Sequence, residues 1–241
     1  MFGLGNRMRF KIFLFLTFFS IHAYADGLGT WNIVNAKLTL SDQTSLFIEP
    51  QLRSLSFYDE FHYYEIKGGV THELVKGLSG TLAMGTYNTF QEGGNFRTPA
   101  VQEEVRTWEQ VNLRQNFGIF RIENRYRAEQ RFTSNNYRNR FRYRLNVIAP
   151  LNNKTVEPKT FYLTLWDELF FTNRAPYFER NRIFGGFGYE FSKRWAAQVG
   201  YIHQFDYKIL DETGRDFLQI SLLMNFDYRN QVREFTPETT E

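Results

Sequence analysis

The chain contains no cysteine, so it has no disulfide framework, no thiolate nucleophile and no Cys-ligated metal. It has only four histidines, at positions 22, 62, 72 and 203, too dispersed to form a short-range ligand motif. After the N-terminal stretch no apolar run approaches the ~20 residues a spanning helix needs, which excludes a helical membrane protein. Surplus charge is missing as well, once the first residues are set aside. Arg7, Arg9 and Lys11 precede an apolar stretch from Ile12 to Ile21, and Ala23-Tyr24-Ala25 stands just before Asp26. This is the order of a cleaved signal peptide: basic region, apolar region, then an A-x-A site formed by Ala23 and Ala25. Residues 1 to 25 hold three Lys or Arg and no acid, so their removal takes the formal net charge from +3 to 0. The basicity belongs to the leader, and nucleic-acid binding loses its electrostatic footprint.

Aromatic residues are abundant: 26 Phe, 14 Tyr and 4 Trp in a chain whose mean hydropathy is negative. Strands produce that combination when one face is apolar, the other is polar and aromatic girdles flank the apolar band. The alternation is plainest from residue 119 to 149. Arg121, Glu123, Arg125, Arg127, Glu129 and Arg131 share one parity, while Phe120, Ile122, Tyr126, Ala128 and Phe132 share the other. After the turn at 133 to 137, Arg138, Arg140, Arg142, Arg144 and Asn146 lie opposite Phe141, Tyr143, Leu145, Val147 and Ala149. A helix would scatter these charges around its circumference, whereas a strand pair sorts them cleanly.

Similar alternation recurs in about eleven segments, near 29–40, 44–55, 60–73, 78–90, 103–115, 119–132, 138–149, 160–171, 180–191, 195–206 and 216–227. Each is long enough to cross a bilayer as a tilted strand. The expected fold is all-β: an antiparallel, up-and-down transmembrane barrel of 10 to 12 strands in a Gram-negative outer membrane. It comprises a leader over 1–25, a barrel over 26–228 and a polar tail over 229–241. Outer-membrane lipids and the barrel-assembly machinery are then its expected partners. An odd count is awkward for single-chain bacterial barrels, and Pro50 makes the first hairpin the least regular. Lys76-Gly77, Asn116-Phe117-Gly118 and Ser192-Lys193-Arg194 read as tight turns at one end. The segments 91–102 and 207–215 read as longer loops at the other.

Four short blocks resemble a bacterial family known as a domain of unknown function, DUF2490. They are Arg125-Tyr126-Arg127-Ala128-Glu129-Gln130-Arg131-Phe132, Phe141-Arg142-Tyr143-Arg144-Leu145, Trp166-Asp167-Glu168-Leu169-Phe170 and Asn181 to Tyr189. The resemblance spans most of residues 28 to 227. It implies a barrel of outer-membrane type and brings no activity, cofactor or catalytic residue with it.

The charged face of the 119–149 hairpin is the main candidate site. A register sum of 269 puts Glu129 beside Arg140, Arg127 beside Arg142 and Arg125 beside Arg144, so two of three pairs are like-charged and neighbouring strands must supply acids. Across the preceding turn a sum of 235 would set Glu104 against Arg131 and Arg106 against Glu129. On the other side Glu168 would fall near Arg140 or Arg142, with Glu49, Glu65 and Glu190 as more distant acids. Two readings stay open. In one, the ion-pair lattice plugs the barrel as a structural envelope component, since buried charges must be paired. In the other, surplus arginines line a narrow path for a small anionic solute.

Enzymatic activity has little to stand on. His203, outward-facing near the outer end, would suit a lipid-acting enzyme of lipase, deacylase or acyltransferase type, but no serine can be placed against it. No metal or cofactor motif is present, and Gly185-Gly186-Phe187-Gly188 lies inside a strand with no helix after it, so it reads as relief of crowding rather than a phosphate loop. Asp167 has the parity of the outward face; a bulge over Trp166 to Glu168 would turn it inward.

Overall fold

Alternation along segments of 11 to 21 residues leaves each one way to bury its polar face, which is against the polar faces of the others. The computed structural model describes residues 27–134, 136–208 and 212–229. The leader with Ala23 and Ala25, and the tail beyond residue 229, lie outside the described residues. Eleven strands form one closed barrel: β1 (Gly29–Thr39), β2 (Thr44–Ser56), β3 (Asp59–Val75), β4 (Leu78–Gln91), β5 (Arg97–Phe117), β6 (Phe120–Thr133), β7 (Asn136–Pro150), β8 (Thr160–Thr172), β9 (Phe178–Glu190), β10 (Trp195–Asp206) and β11 (Thr213–Asp227).

Every sequential neighbour pairs antiparallel, and the ring closes by a parallel ladder between β1 and β11, from Gly29↔Phe217 to Thr39↔Asp227. This corrects the expectation of an antiparallel barrel throughout. With an odd number of alternating strands the first and last run the same way, so no strand has to be split, merged or tucked inside. The β1–β2 ladder holds one register from Trp31↔Arg53 to Thr39↔Ser45 but skips the positions opposite Glu49 and Pro50. Proline has no N–H to donate there, while its other side still pairs with Ile66 of β3.

Loop length does not distinguish the two ends. The end holding residues 76–77, 118–119 and 191–194 also holds the longest connection, 151–159. At the other end the expected loop 91–102 shrinks to 92–96, because β5 begins at Arg97 and meets β4 through two register shifts.

Outward-facing side chains are mostly large and apolar, among them Ile66, Leu82, Met84, Leu165, Phe187 and Val199. Exposed rings collect toward the ends: Phe117, Phe120, Phe161 and Trp195 at the turn end, and Tyr64, Phe132, Tyr137 and Phe171 at the other. Asp167 also stays outward. Register runs unbroken through Trp166, Asp167 and Glu168 on both sides, with the only β8 irregularity at Phe170/Phe171, so the proposed inward bulge does not exist. Asp167 accepts instead from Asn181 Nδ2 at 2.5 Å. At the turn end Arg229 donates to Asp227 at 2.6 Å and Asp42 at 2.8 Å, and those bonds hold its pKa above the ordinary value.

Inside, two apolar clusters sit on opposite walls. Trp31, Trp166, Phe184, Ile202 and Phe217 form one; Tyr63, Tyr87 and Trp108 form the other. Two glycines of β9 make room for rings on the first of these walls. A Cβ on Gly188 would lie 2.0 Å from the Tyr162 ring, and one on Gly186 would lie 2.6 Å from Phe184. These glycines make room for inward aromatic rings, as their place inside a strand implied.

Candidate functional site: the arginine-lined interior

The β6–β7 register sums to 269, with Glu129↔Arg140, Arg127↔Arg142 and Arg125↔Arg144 directly opposite. The β5–β6 register sums to 237 rather than 235, so Arg106 faces Arg131 and Glu104 faces Thr133. The difference arises at the turn. Gly118 takes φ +59 and closes a two-residue connection, 118–119, between paired Phe117 and Phe120, one residue later than a sum of 235 would place it within Asn116-Phe117-Gly118. Long side chains recover one of the expected pairs diagonally: Glu104 accepts from both Nε and Nη2 of Arg131, the latter at 2.8 Å, and from Arg106 at 2.7 Å. Arg106 and Glu129 do not come within salt-bridge distance.

Two fully buried carboxylates organise the lattice. Glu129 accepts from Arg142 at 2.6 Å, with Arg127 at 3.4 Å and Arg140 at 3.9 Å. Glu168 receives Arg142 at 2.8 Å, Arg144 at 2.8 Å and Arg125. It lies opposite Arg144 and does not reach Arg140. Arg140 turns to Glu179, which also draws Arg138 at 3.5 Å and Arg131 at 3.6 Å. Glu179 was missed because β9 was expected to begin at 180 and because its parity is opposite to that of inward Arg180 and Arg182; the register shift at Phe170/Phe171 leaves it as the extra residue and lets it face the cavity.

The remaining expected residues separate from this centre. Arg121 and Glu123 pair at 3.0 Å at the turn end, each about a third exposed. Glu49 and Glu65 each bind Lys67 at 2.6 Å, and Glu65 also meets Arg53 at 3.3 Å. Glu190 makes no salt bridge with the arginines.

Aromatic rings are the component that the sequence reading placed elsewhere. Three of the four tryptophans point inward, and guanidinium groups stack on them: Arg53 on Trp31 at 3.5 Å, Arg144 on Trp166 at 4.1 Å and Arg127 on Trp108 at 4.8 Å. Arg106 lies 3.7 Å from the Tyr87 ring. Such contacts stabilise a cation without neutralising it. Trp108 could have been assigned inward from its parity with Arg106 and Gln110.

The lattice leaves open space. A cavity of about 1960 Å³ opens at the loop end, where Glu92, Arg174, Pro176 and Lys208 line it. A second, of about 360 Å³, opens at the turn end beside Ser41, Asp42 and Gly77. The two share seven lining residues, Lys37, Ser45, Thr71, Gln110, Asn112, Arg125 and Arg144, which form the waist between them. Three of the seven are cationic and none is acidic. Around the larger cavity sixteen Lys and Arg face seven Asp and Glu; counting buried Glu129 and Glu168 with the acids leaves an excess of seven positive charges.

At the loop end Glu92 reaches Arg215 of β11 at 2.5 Å, bridging part of the mouth. His62 lines the cavity near there, and His72 accepts or donates to Thr44 at 3.0 Å toward the opposite end. His203 faces outward and pairs with Asp216 at 2.6 Å. The residues paired with it or next on its face are Asp216, Ile183, Tyr201, Phe205 and Gly214, so no serine accompanies this His–Asp pair.

A family model described as a protein of unknown function, DUF2490, matches residues 28–213, from just before β1 to the first residue of β11. Searches of curated proteins and of solved structures return no match.

Proposed function

Because the chain belongs to the DUF2490 family, whose description assigns no activity, we propose from its own interior that it is an outer-membrane barrel acting as a narrow, anion-preferring conduit. The apolar outer wall with rings toward both ends supports the membrane placement. The observation that carries the conduit is the waist. A solute passing from one cavity to the other meets Lys37, Arg125 and Arg144 with four neutral polar side chains and no carboxylate. Cationic constrictions of this kind favour anions, as rings of Arg or Lys do in anion pores. Arg125 and Arg144 share the single charge of Glu168, so the waist keeps a net positive field.

The test is reconstitution of the folded barrel in a planar bilayer. Reproducible conductance with a reversal potential favouring anions is expected, and Lys37→Glu should move that potential toward cations. Lys37 lies outside the salt-bridge lattice, so this change leaves the lattice intact. A correctly folded barrel that gives no conductance would leave the lattice as a plug.

A further inference from the structure

We propose that the larger, loop-end cavity contains a discrete oxyanion-binding station built on Arg182, a role that rests on the conduit reading but deepens it to a bound ligand. Arg182 is 5% exposed and lines the cavity, yet no carboxylate lies within salt-bridge distance of it. Its register partner on β8 is Glu168, but that carboxylate is engaged by Arg125, Arg142 and Arg144. Nε donates to the Gln204 side-chain oxygen at 2.8 Å. The guanidinium carbon lies 4.9 Å from the Trp31 ring centroid and 4.8 Å from that of Phe170. The Nε edge is thus occupied and two rings lie beside the group, while Nη1 and Nη2 are left without a protein acceptor.

The surroundings add positive charge rather than cancel it. Arg140, Arg142 and Arg180 also lie within 6 Å of the Phe170 ring, at 5.6, 4.5 and 5.9 Å. Each of those three has a carboxylate partner, in Glu179, in Glu129 with Glu168, and in Asp206 respectively. Arg182 alone of the four lacks one. A buried cation without a counter-ion is costly, and the open cavity beside it is where an external counter-ion can sit. A fixed Nη1/Nη2 edge presents two parallel N–H groups, the geometry that pairs with two oxygens of a carboxylate, phosphate or sulfate. A small oxyanion is therefore the ligand class.

The experiment is titration calorimetry of the detergent-folded barrel with sodium phosphate, sodium sulfate and sodium succinate in separate runs at fixed ionic strength. It needs no conduction, so its outcome is independent of the bilayer test. Saturable binding of at least one of these is expected, and which of them binds distinguishes a phosphoryl, sulfuryl or carboxylate ligand. Arg182→Gln should weaken that binding by tenfold or more, while Lys193→Gln in the exposed turn should leave it unchanged. Gln204→Leu keeps the charge and frees the guanidinium, so it should weaken binding severalfold even if Arg182→Gln does not fold. Absence of saturable binding to all three, or unchanged affinity in the variants that fold, overturns the assignment.

Discussion

Neutralising one buried carboxylate separates a dry, load-sharing lattice from a screened one. Glu168 is fully buried and receives three guanidinium groups, so Glu168→Gln keeps the shape and removes the charge that holds Arg125, Arg142 and Arg144 together. A single contact at this range is worth about 4 kcal/mol at an effective dielectric near 20. The three do not add, because the cations repel one another, and breaking a buried pair by removing one partner costs about 3–5 kcal/mol. Glu129→Gln loses one close contact at 2.6 Å and two longer ones, and should cost less, about 2–3 kcal/mol. Glu123→Gln loses one pair that is a third exposed and should cost under about 1 kcal/mol. Urea unfolding of barrels in lipid vesicles, followed by the gel-mobility shift of the folded form, would order the three. If Glu168→Gln unfolds at the same midpoint as Glu123→Gln, water in the cavity screens the lattice and the argument from buried charge fails.

Two further outcomes follow from packing and from the mouth. Gly188→Ala should destabilise the barrel by about 1–3 kcal/mol, since its Cβ would strike the Tyr162 ring, and Tyr162→Ala should recover much of that loss in the double variant. Arg215→Gln releases Glu92 from across the loop-end mouth, so trypsin should cut after Arg97 faster and the conductance should rise. An unchanged cleavage rate would show that the ion pair does not hold the segment.

What could be read from the sequence was whatever parity alone decides. The face of each residue from Arg121 to Thr133 and from Asn136 to Asn146 follows from alternation, and pairing like faces across a short turn set the β6–β7 register. Parity cannot choose between registers that differ by two, and there the conformation of Gly118 decided. Asp167 shows the opposite error: its outward parity was right, and a bulge was invoked to remove an unfavourable charge that Asn181 already accommodates. The inward tryptophans were overlooked because aromatic residues were assigned by type to the girdles, although Trp31, Trp108 and Trp166 share parity with inward polar neighbours. Arg182 stood in the sequence with no mark of difference from the twenty other arginines. Only the orientation of Glu168 toward β6 and β7 leaves it unmatched.

The parallel seam gives β1 a special standing among the strands. Remove it, and β2 and β11 run antiparallel to each other, so the ten remaining strands have the alternation an ordinary even-numbered barrel needs to close. β1 is in that sense an added stave, pairing with a strand nearly the whole chain away, at Gly29↔Phe217. The seam is then the most entropically demanding closure in the molecule. It is also the closure that brings in Trp31, against which both Arg53 and Arg182 rest. The extra strand widens the ring and, in the same stroke, furnishes one wall of its most positively charged chamber.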